Sequence, residues 1–209
     1  MSRRQAIISE NQSVLPVGYK QLKYIQSTGT QWINTGVGVR PNIETFIIVN
    51  YYQSPTDMYN YGVYYNNDSD TLAANFRTRN YGNLDFRAGL SYQTPVIPLV
   101  LNTDYLMEQT KTEFAITNLG NQTKVSKPII TKNVGSGNSR PIYLFCVNLR
   151  GSAVAFISFR LKRFWIKIND TPAWDGIPAL RLSDNKPGLY DIVNDQFYVN
   201  QGTGEFLYA

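Results

Sequence analysis

Short runs of β-branched and aromatic residues, separated by turn-forming residues, recur along most of the chain. The run ETFIIVNYY at residues 44–52 is apolar on both alternating faces, which predicts a central strand with neither face fully wet. In RFWIKI at residues 163–168, apolar side chains alternate with Arg163, Trp165 and Lys167, which is the period of a half-buried strand. Further strand-like runs lie at residues 96–101, 104–109, 113–117, 142–148, 153–159 and 188–199. The pattern predicts an all-β sandwich or barrel.

The first sixteen residues do not share this periodicity. They mix charged residues with Ser, Asn and Gln, and they end at Pro16. We therefore expect an extended N-terminal arm at residues 1–16, followed by a single domain at residues 17–209. A domain of that length can bury a substantial core.

The stretch YIQSTGTQWINTGV at residues 24–37 is unusually rich in hydroxyl and amide side chains around one tryptophan. Its apolar residues are spaced like two short strands on either side of a turn at Ser27, Thr28 and Gly29. We therefore expect Trp32 to be largely packed and the Ser and Thr hydroxyls to bond to the backbone.

Composition removes several kinds of chemistry. The chain has no histidine, so the usual general base near neutral pH, the Ser-His and Cys-His nucleophile pairs and the commonest zinc ligand are all absent. Its single cysteine, Cys146, lies in the apolar run IYLFCV, which indicates a buried and inert thiol.

The formal net charge is +5, but the twenty Lys and Arg residues are scattered along the sequence. Nucleic-acid binding usually requires a continuous basic track interleaved with stacking aromatics, so we expect no nucleic-acid partner. No apolar stretch is long enough to span a bilayer or to act as a signal peptide, and we expect no membrane insertion. The densest basic cluster is read as a solvated face: Arg160, Lys162, Arg163 and Lys167.

Acidic residues give little sign of catalysis. Glycoside hydrolysis needs two carboxylates across the scissile bond, and no two of the five glutamates share a strand face at such spacing. The closest acidic pairs, Asp68 with Asp70 and Asp191 with Asp195, lie in turn-forming sequence. We therefore predict no catalytic residue and no metal site. Calcium at Asp68 and Asp70, with neighbouring Asn carbonyls as further ligands, is kept as an alternative to a plain polar hairpin.

Carbohydrate binding makes looser demands, namely aromatic faces that stack on a sugar ring and amides or carboxylates that bond to its hydroxyls. The segment MYNYGVYYNNDSD supplies both, although its tyrosines also suit strand positions packed against neighbours. The candidate ligand-binding residues are Tyr64, Tyr65, Asn66, Asn67 and Asp68. Trp165, which shares a strand face with cations, is predicted either to stack under Arg163 or Lys167 or to be covered at a subunit interface.

Two long stretches resemble one family. LPVGYKQLKYIQSTGTQWINTGV is similar to the start of lectin-like jelly-roll domains, of the laminin-G or concanavalin A-like type, found in phage virion and tail-associated proteins and in surface proteins of gut bacteria. IYLFCVNLRGSAVAFISFRLKRFWIKIND and GIPALRLSDNKPGLYDIVNDQFYVNQGTGEF resemble the closing strands of the same domains. Together these stretches bracket residues 16–206.

The resemblance implies a two-sheet antiparallel jelly-roll sandwich that binds or adheres, frequently to glycans, with no catalytic motif to carry over. For this chain it implies a phage virion structural protein, such as a capsid decoration, head fibre or tail appendage, assembled in the host cytoplasm. The arm would anchor it through Arg3 and Arg4, and the partners would be other virion proteins, host surface glycan and further copies of the chain, with a trimer favoured. The alternatives are a secreted or cell-surface bacterial lectin and, less favoured, a glycoside hydrolase.

Overall fold

The computed structural model describes residues 14–55, 58–64, 72–77, 83–88, 91–93, 95, 97–129 and 140–209, and of residues 73–77, 83–88 and 91–93 it describes the backbone alone. Within these ranges the chain forms nineteen strands and no helix. The strands are β1 (Tyr19–Gln21), β2 (Ile25–Gln26), β3 (Ile33–Gly38), β4 (Ile43–Asn50), β5 (Met58–Tyr64), β6 (Leu72–Arg77), β7 (Asn83–Ala88), β8 (Ser91–Gln93), β9 (Asp104–Gln109), β10 (Glu113–Asn118), β11 (Lys124–Pro128), β12 (Pro141–Leu144), β13 (Val147–Leu149), β14 (Ser152–Val154), β15 (Arg160–Ile168), β16 (Thr171–Arg181), β17 (Lys186–Asp191), β18 (Gln196–Val199) and β19 (Leu207–Tyr208).

The strands form two sheets. The larger sheet runs β11-β10-β9-β4-β15-β16-β17-β18, with β1 beside β16 and with β2 between β15 and β19. The smaller sheet runs β14-β13-β5-β6-β7-β8, and β12 connects β5 to β3. Among the described pairs, only β13 and β5 run parallel, with Asn148 opposite Val63. The prediction of an all-β, two-sheet and essentially antiparallel sandwich is confirmed.

The core lies between the sheets and is rich in aromatic rings. Phe145 stacks on Phe159 with ring centroids 4.6 Å apart, and Phe206 packs against Phe145 from the C-terminal loop. In β15 the inward-facing side chains of Phe164 and Ile166 are fully buried, as the alternation of that strand predicts. β4 lies between β9 and β15, and its burial on both faces confirms the central strand expected from ETFIIVNYY.

Two pairs of polar side chains inside the core are bonded to each other. Thr45 Oγ1 and the Tyr61 hydroxyl lie 2.7 Å apart, and the Tyr51 hydroxyl donates to Asn60 Oδ1 at 2.8 Å. Burial raises the pKa of both tyrosines far above the ordinary value of 10.0. Cys146 is buried as expected, and desolvation likewise raises the pKa of its thiol.

One predicted strand is wrong. Residues 97–101 carry no strand, because Pro98 has no N–H to offer to a ladder. The Tyr105 hydroxyl holds this segment instead, since it donates to the Pro98 carbonyl at 3.1 Å and accepts from Val100 N at 2.8 Å. The run at residues 153–159 is a strand only through Val154.

The loop after β18 joins the two sheets at one edge of the sandwich. Asn200 Oδ1 accepts a hydrogen bond from Trp32 N at 3.0 Å, and Gln201 N donates to the Trp32 carbonyl at 2.9 Å. The approach is so close that a Cβ atom on Gly202 would lie 1.9 Å from the carbonyl oxygen of Thr30. The loop therefore fixes where the chain of Trp32 lies against the larger sheet.

The first described residues already belong to the packed structure. Leu15 is buried against Ala179 and Tyr190 on the outer side of the larger sheet. Most of the expected arm, including Arg3 and Arg4, lies outside the described residues, so its anchoring role remains a prediction. Within the described part of the chain, no helix is long and apolar enough to cross a membrane.

Candidate functional site

Three neighbouring strands of the smaller sheet share one register position that faces away from the core. Tyr143 of β12 lies opposite Asn34 of β3 and opposite Gly62 of β5. Side chains directly opposite one another in a sheet point to the same face. Because the next residues along two of these strands, Ile33 and Tyr61, are fully buried in the core, the position faces outward.

An aromatic pair lies at one side of this outward position. The rings of Trp32 and Tyr143 have centroids 4.4 Å apart and are inclined by 37°. Trp32 is half-buried and Tyr143 is buried, with its hydroxyl 3.4 Å from the Gly151 carbonyl. Aromatic pairs in this geometry stabilise one another, so the buried Tyr143 ring helps to hold Trp32 in place.

A second aromatic pair lies on β5. A bulge between Tyr59 and Tyr61 turns Asn60 inward, where it is fully buried, and leaves Tyr59 on the same outer side as Tyr64. The ring centroids of Tyr59 and Tyr64 are 6.2 Å apart, and both side chains are half-buried.

Gly62 lies between the two pairs and contributes no side chain. Its φ of 147° is a backbone conformation that L-residues rarely adopt, which favours glycine there. Gly62 is itself buried, and the two pairs together span three strands, or about 10 Å at the usual strand spacing. We call the set Trp32, Tyr59, Tyr64 and Tyr143 the aromatic face.

The structure tests the sequence-predicted site in part. Tyr64 is described and belongs to the aromatic face. The other four predicted ligand-binding residues lie outside the described residues, so their role remains a prediction: Tyr65, Asn66, Asn67 and Asp68. Sequence reasoning missed Tyr143, because an aromatic residue in the run PIYLFCV reads as an ordinary strand residue.

Trp32 is partly buried, and its ring packs against Tyr143. The hydroxyls around it bond to the backbone in part, since the Thr28 hydroxyl donates to Gln31 Oε1 instead. Ser27 Oγ accepts from Gly29 N at 3.0 Å, and Thr30 Oγ1 donates to the Thr203 carbonyl at 2.9 Å. The stretch is therefore a strand and turn motif that also leaves one tryptophan edge near the surface.

Trp165 lies on the outer face of the larger sheet. Its ring stacks on Phe46 with centroids 5.0 Å apart and planes 5° from parallel. The Arg163 guanidinium lies 5.1 Å from the Trp165 ring centre while it forms an ion pair with Asp175 at 2.6 Å. Of the two interpretations of Trp165, stacking under Arg163 is confirmed, and a subunit interface remains a prediction.

Of the two acidic pairs, the structure describes only Asp191 and Asp195. Asp191 is buried and accepts hydrogen bonds from Asp175 N at 2.9 Å and Val193 N at 3.0 Å, and Asp195 bonds to the Tyr190 hydroxyl. Both therefore organise the turn after β17, as turn-forming sequence predicts. Asp68 and Asp70 lie outside the described residues, so calcium there is untested. Within the residues that the structure does describe, no group of three or more His, Cys, Asp or Glu side chains could hold a metal ion.

The two-sheet sandwich has the jelly-roll fold of the concanavalin A-like type. No family model and no curated protein matches the chain. Among solved structures, a proposed carbohydrate-binding protein from Bacteroides ovatus is 10% identical, with a TM-score of 0.52 over 91% of this chain and 60% of that chain. At such low identity this likeness shows the fold alone.

Two further structures are similar at lower scores. The LG1–3 region of the laminin α2 chain is 13% identical, with a TM-score of 0.48 over 91% of this chain and 35% of that chain. Scytalido-glutamic peptidase with a peptide-based transition-state analogue is 14% identical, with a TM-score of 0.40 over 90% of this chain and all of that chain.

Proposed function

We propose that the protein is a non-catalytic carbohydrate-binding module and that the aromatic face is its binding surface. The observation that carries the proposal is the pair of aromatic clusters on either side of Gly62, on the outward side of a sheet. The C–H bonds on one side of a pyranose ring pack on an aromatic ring, so two aromatic pairs on neighbouring strands suit contact with more than one residue of an oligosaccharide. The fold likeness to a proposed carbohydrate-binding protein supports the same reading.

Asn34 supplies polar contacts beside the aromatic face. Its Oδ1 accepts a hydrogen bond from Gly36 N at 2.9 Å, which fixes the amide in place. Its Nδ2 has no acceptor within the described residues and is free to donate to a sugar hydroxyl. An aromatic platform with a fixed amide at its rim provides both affinity and orientation.

Binding without turnover is part of the proposal. The carboxylates whose side chains the structure describes belong to the larger sheet and its loops, so none of them lies beside the aromatic face. Hydrolysis of a glycosidic bond would need two of them there. Incubation with any bound oligosaccharide, followed by chromatography, is expected to return the ligand intact.

The test is a glycan array followed by calorimetry on the strongest ligand. Tyr64→Ala and Trp32→Ala are each expected to weaken binding about 3- to 10-fold, the loss of one stacking contact. Tyr208→Ala is the matched control, because Tyr208 is 46% exposed and lies on β19, away from the aromatic face. An array without any bound glycan, or equal affinity in all variants, would refute the proposal.

We place this module on a phage particle. The support is the resemblance of residues 16–206 to domains of phage virion and tail-associated proteins, together with the polar, arginine-bearing segment before the domain. Mass spectrometry of purified virions from the source is expected to detect the protein. A chain that begins at residue 14 is expected to fold, to bind the same glycan and to be missing from particles. Normal incorporation of that chain would contradict anchoring, and detection only on the bacterial surface would favour the alternative lectin.

A further inference from the structure

A row of polar side chains crosses the outer face of the larger sheet, on the opposite side of the sandwich from the aromatic face. The register places Asn50 of β4 opposite both Asp104 of β9 and Arg160 of β15, and places Arg160 opposite Gln26 of β2. Four adjacent strands thus contribute one polar group each at the same level.

Hydrogen bonds connect the row. Asn50 Nδ2 donates to Asp104 Oδ1 at 2.8 Å, and Arg160 Nη1 donates to Asn50 Oδ1 at 3.4 Å. Arg160 Nε donates to Gln26 Oε1 at 2.9 Å, and Arg160 Nη1 also reaches Asn102 Oδ1 at 3.2 Å. These contacts hold the guanidinium in one orientation.

Two tyrosine rings hold the same guanidinium. Its central carbon lies 5.0 Å from the ring centre of Tyr24 and 5.4 Å from that of Tyr52. Within the described residues, Arg160 Nη2 and Asn102 Nδ2 have no acceptor. Two fixed donors therefore remain without a partner at one end of the row.

Lys162 adds a second cation. A bulge in β15 between Leu161 and Arg163 lets both Lys162 and Arg163 project from the outer face. Lys162 Nζ lies 2.5 Å from Asp104 Oδ2, while Asp104 Oδ1 is taken by Asn50. Lys162 thereby neutralises Asp104, and each Asp104 oxygen accepts one hydrogen bond. With the charge of Arg160 added, the cluster has a net charge of +1.

A pocket of about 310 Å³ opens at this cluster. Its lining residues are Asn50, Asn102, Thr103, Asp104, Leu119, Gly120 and Lys162, and Arg160 lies behind them, bonded to Asn50 and Asn102. Lys162 keeps two N–H groups beyond its bond to Asp104, and the Asn102 amide keeps its own N–H groups. Such donors with a positive charge beside them favour an acceptor-rich anion.

We propose that this pocket binds an oxyanion of the carboxylate or sulfate class. Lys162 Nζ and Asn102 Nδ2 would donate to its oxygens. The Arg160 guanidinium, which the two tyrosine rings keep in position, would add positive charge behind Asn50 and Asn102. Such a group can come from two sources, the carboxylate of an acidic sugar or a free inorganic anion. The site is separate from the aromatic face and does not rest on the proposed function.

The experiment is an NMR titration at low ionic strength with three probes: sodium sulfate, glucuronate and glucose. Sulfate and glucuronate are expected to shift the Arg160 Nε–Hε and Asn102 side-chain amide signals saturably, and glucose is not. Tighter binding of glucuronate than of sulfate assigns the pocket to an acidic sugar, and the reverse order assigns it to a free anion. Saturable binding of neither anion would overturn the proposal.

Matched variants locate the binding. Lys162→Gln is expected to weaken anion affinity about 10-fold or more, the loss of a hydrogen bond to a charged group. Arg160→Gln is also expected to weaken it, because the positive charge behind Asn50 and Asn102 is lost. Lys167→Gln, a cation at the other end of β15, is expected to leave it unchanged. If Arg160→Gln fails to fold, Asn102→Ala tests the same site with an expected loss of about 3-fold or more. Equal losses in Lys167→Gln and Lys162→Gln would overturn the proposal, because a diffuse positive surface would then explain the binding.

Discussion

At the scale of single residues, Thr45 and Tyr61 form a hydrogen bond inside the core, where each hydroxyl has to find a partner within the protein. Both side chains are fully buried and their oxygens lie 2.7 Å apart. The sequence could indicate that each residue belongs to a strand, since both are good strand formers. It could not indicate that they meet, because that depends on how the two sheets pack on each other.

We predict that Tyr61→Phe lowers the free energy of unfolding by about 1–3 kcal/mol, because Thr45 Oγ1 loses its only partner among the described residues. Adding Thr45→Val is expected to recover most of that loss, since both partners then become apolar. Urea unfolding of the parent, the single variants and the double variant measures the coupling free energy between the two side chains. The control, Tyr208→Phe, is expected to stay within about 0.5 kcal/mol of the parent. Simple addition of the two single effects would contradict the pairing.

At the scale of elements, two patterns predicted strands correctly. The run that is apolar on both faces predicted β4, and the alternation of apolar and polar side chains predicted β15. The alternation could not reveal the bulge in β15, which leaves Lys162 and Arg163 on the same side. The stretch around Trp32 predicted two short strands and a turn, and the structure confirms them. What sequence could not show is that Trp32 meets Tyr143, since 110 residues lie between these two in the chain.

We predict that Gly202→Ala lowers the free energy of unfolding by about 1–3 kcal/mol, because its new Cβ would overlap the Thr30 carbonyl and push the loop away from β3. Gln201→Ala in the same loop is the control, and only its exposed side chain changes. Thermal unfolding of both variants provides the measurement. The glycan affinity of Gly202→Ala is also expected to fall, since this loop holds the backbone of Trp32. If Gly202→Ala is as stable as the parent, the loop can move to accommodate the added Cβ atom, which would contradict the expected overlap.

At the scale of the whole molecule, the absence of histidine and the burial of weak acids give stability a distinct pH profile. Cys146, Tyr51 and Tyr61 all have pKa values raised by burial. Below their ordinary pKa values, both the folded and unfolded states keep these groups protonated. Above those values, only the unfolded chain releases the protons, so stability is lost as the pH rises.

We therefore predict that the free energy of unfolding is nearly constant from about pH 6 to 8 and falls above about pH 9, beginning at the ordinary thiol pKa. Urea unfolding across this range provides the measurement. Relative to its value at pH 7, the free energy of unfolding of Cys146→Ala is expected to fall less than that of the parent between about pH 9 and 10. A profile with its steepest change near pH 6.5 would contradict this account.

A homo-oligomer, with a trimer favoured, is also a prediction at this scale. We expect sedimentation equilibrium to show a defined trimer and Trp165→Ser to shift it towards the monomer, because a half-buried aromatic stack is a usual interface anchor. Leu182→Ser, at a side chain that is 51% exposed, is the control. A monomer at every concentration would rule out this assembly.

The pairing of β2 with β19 has a consequence for how the protein is made. Tyr208 lies opposite Ile25, and Lys23 N donates to the Ala209 carbonyl at 2.5 Å, so two segments from opposite parts of the sequence meet at one edge. Such contacts are slow to form because nearly the whole chain lies between them. On a ribosome, β2 must therefore stay unpaired along that edge until β19 has left the exit tunnel.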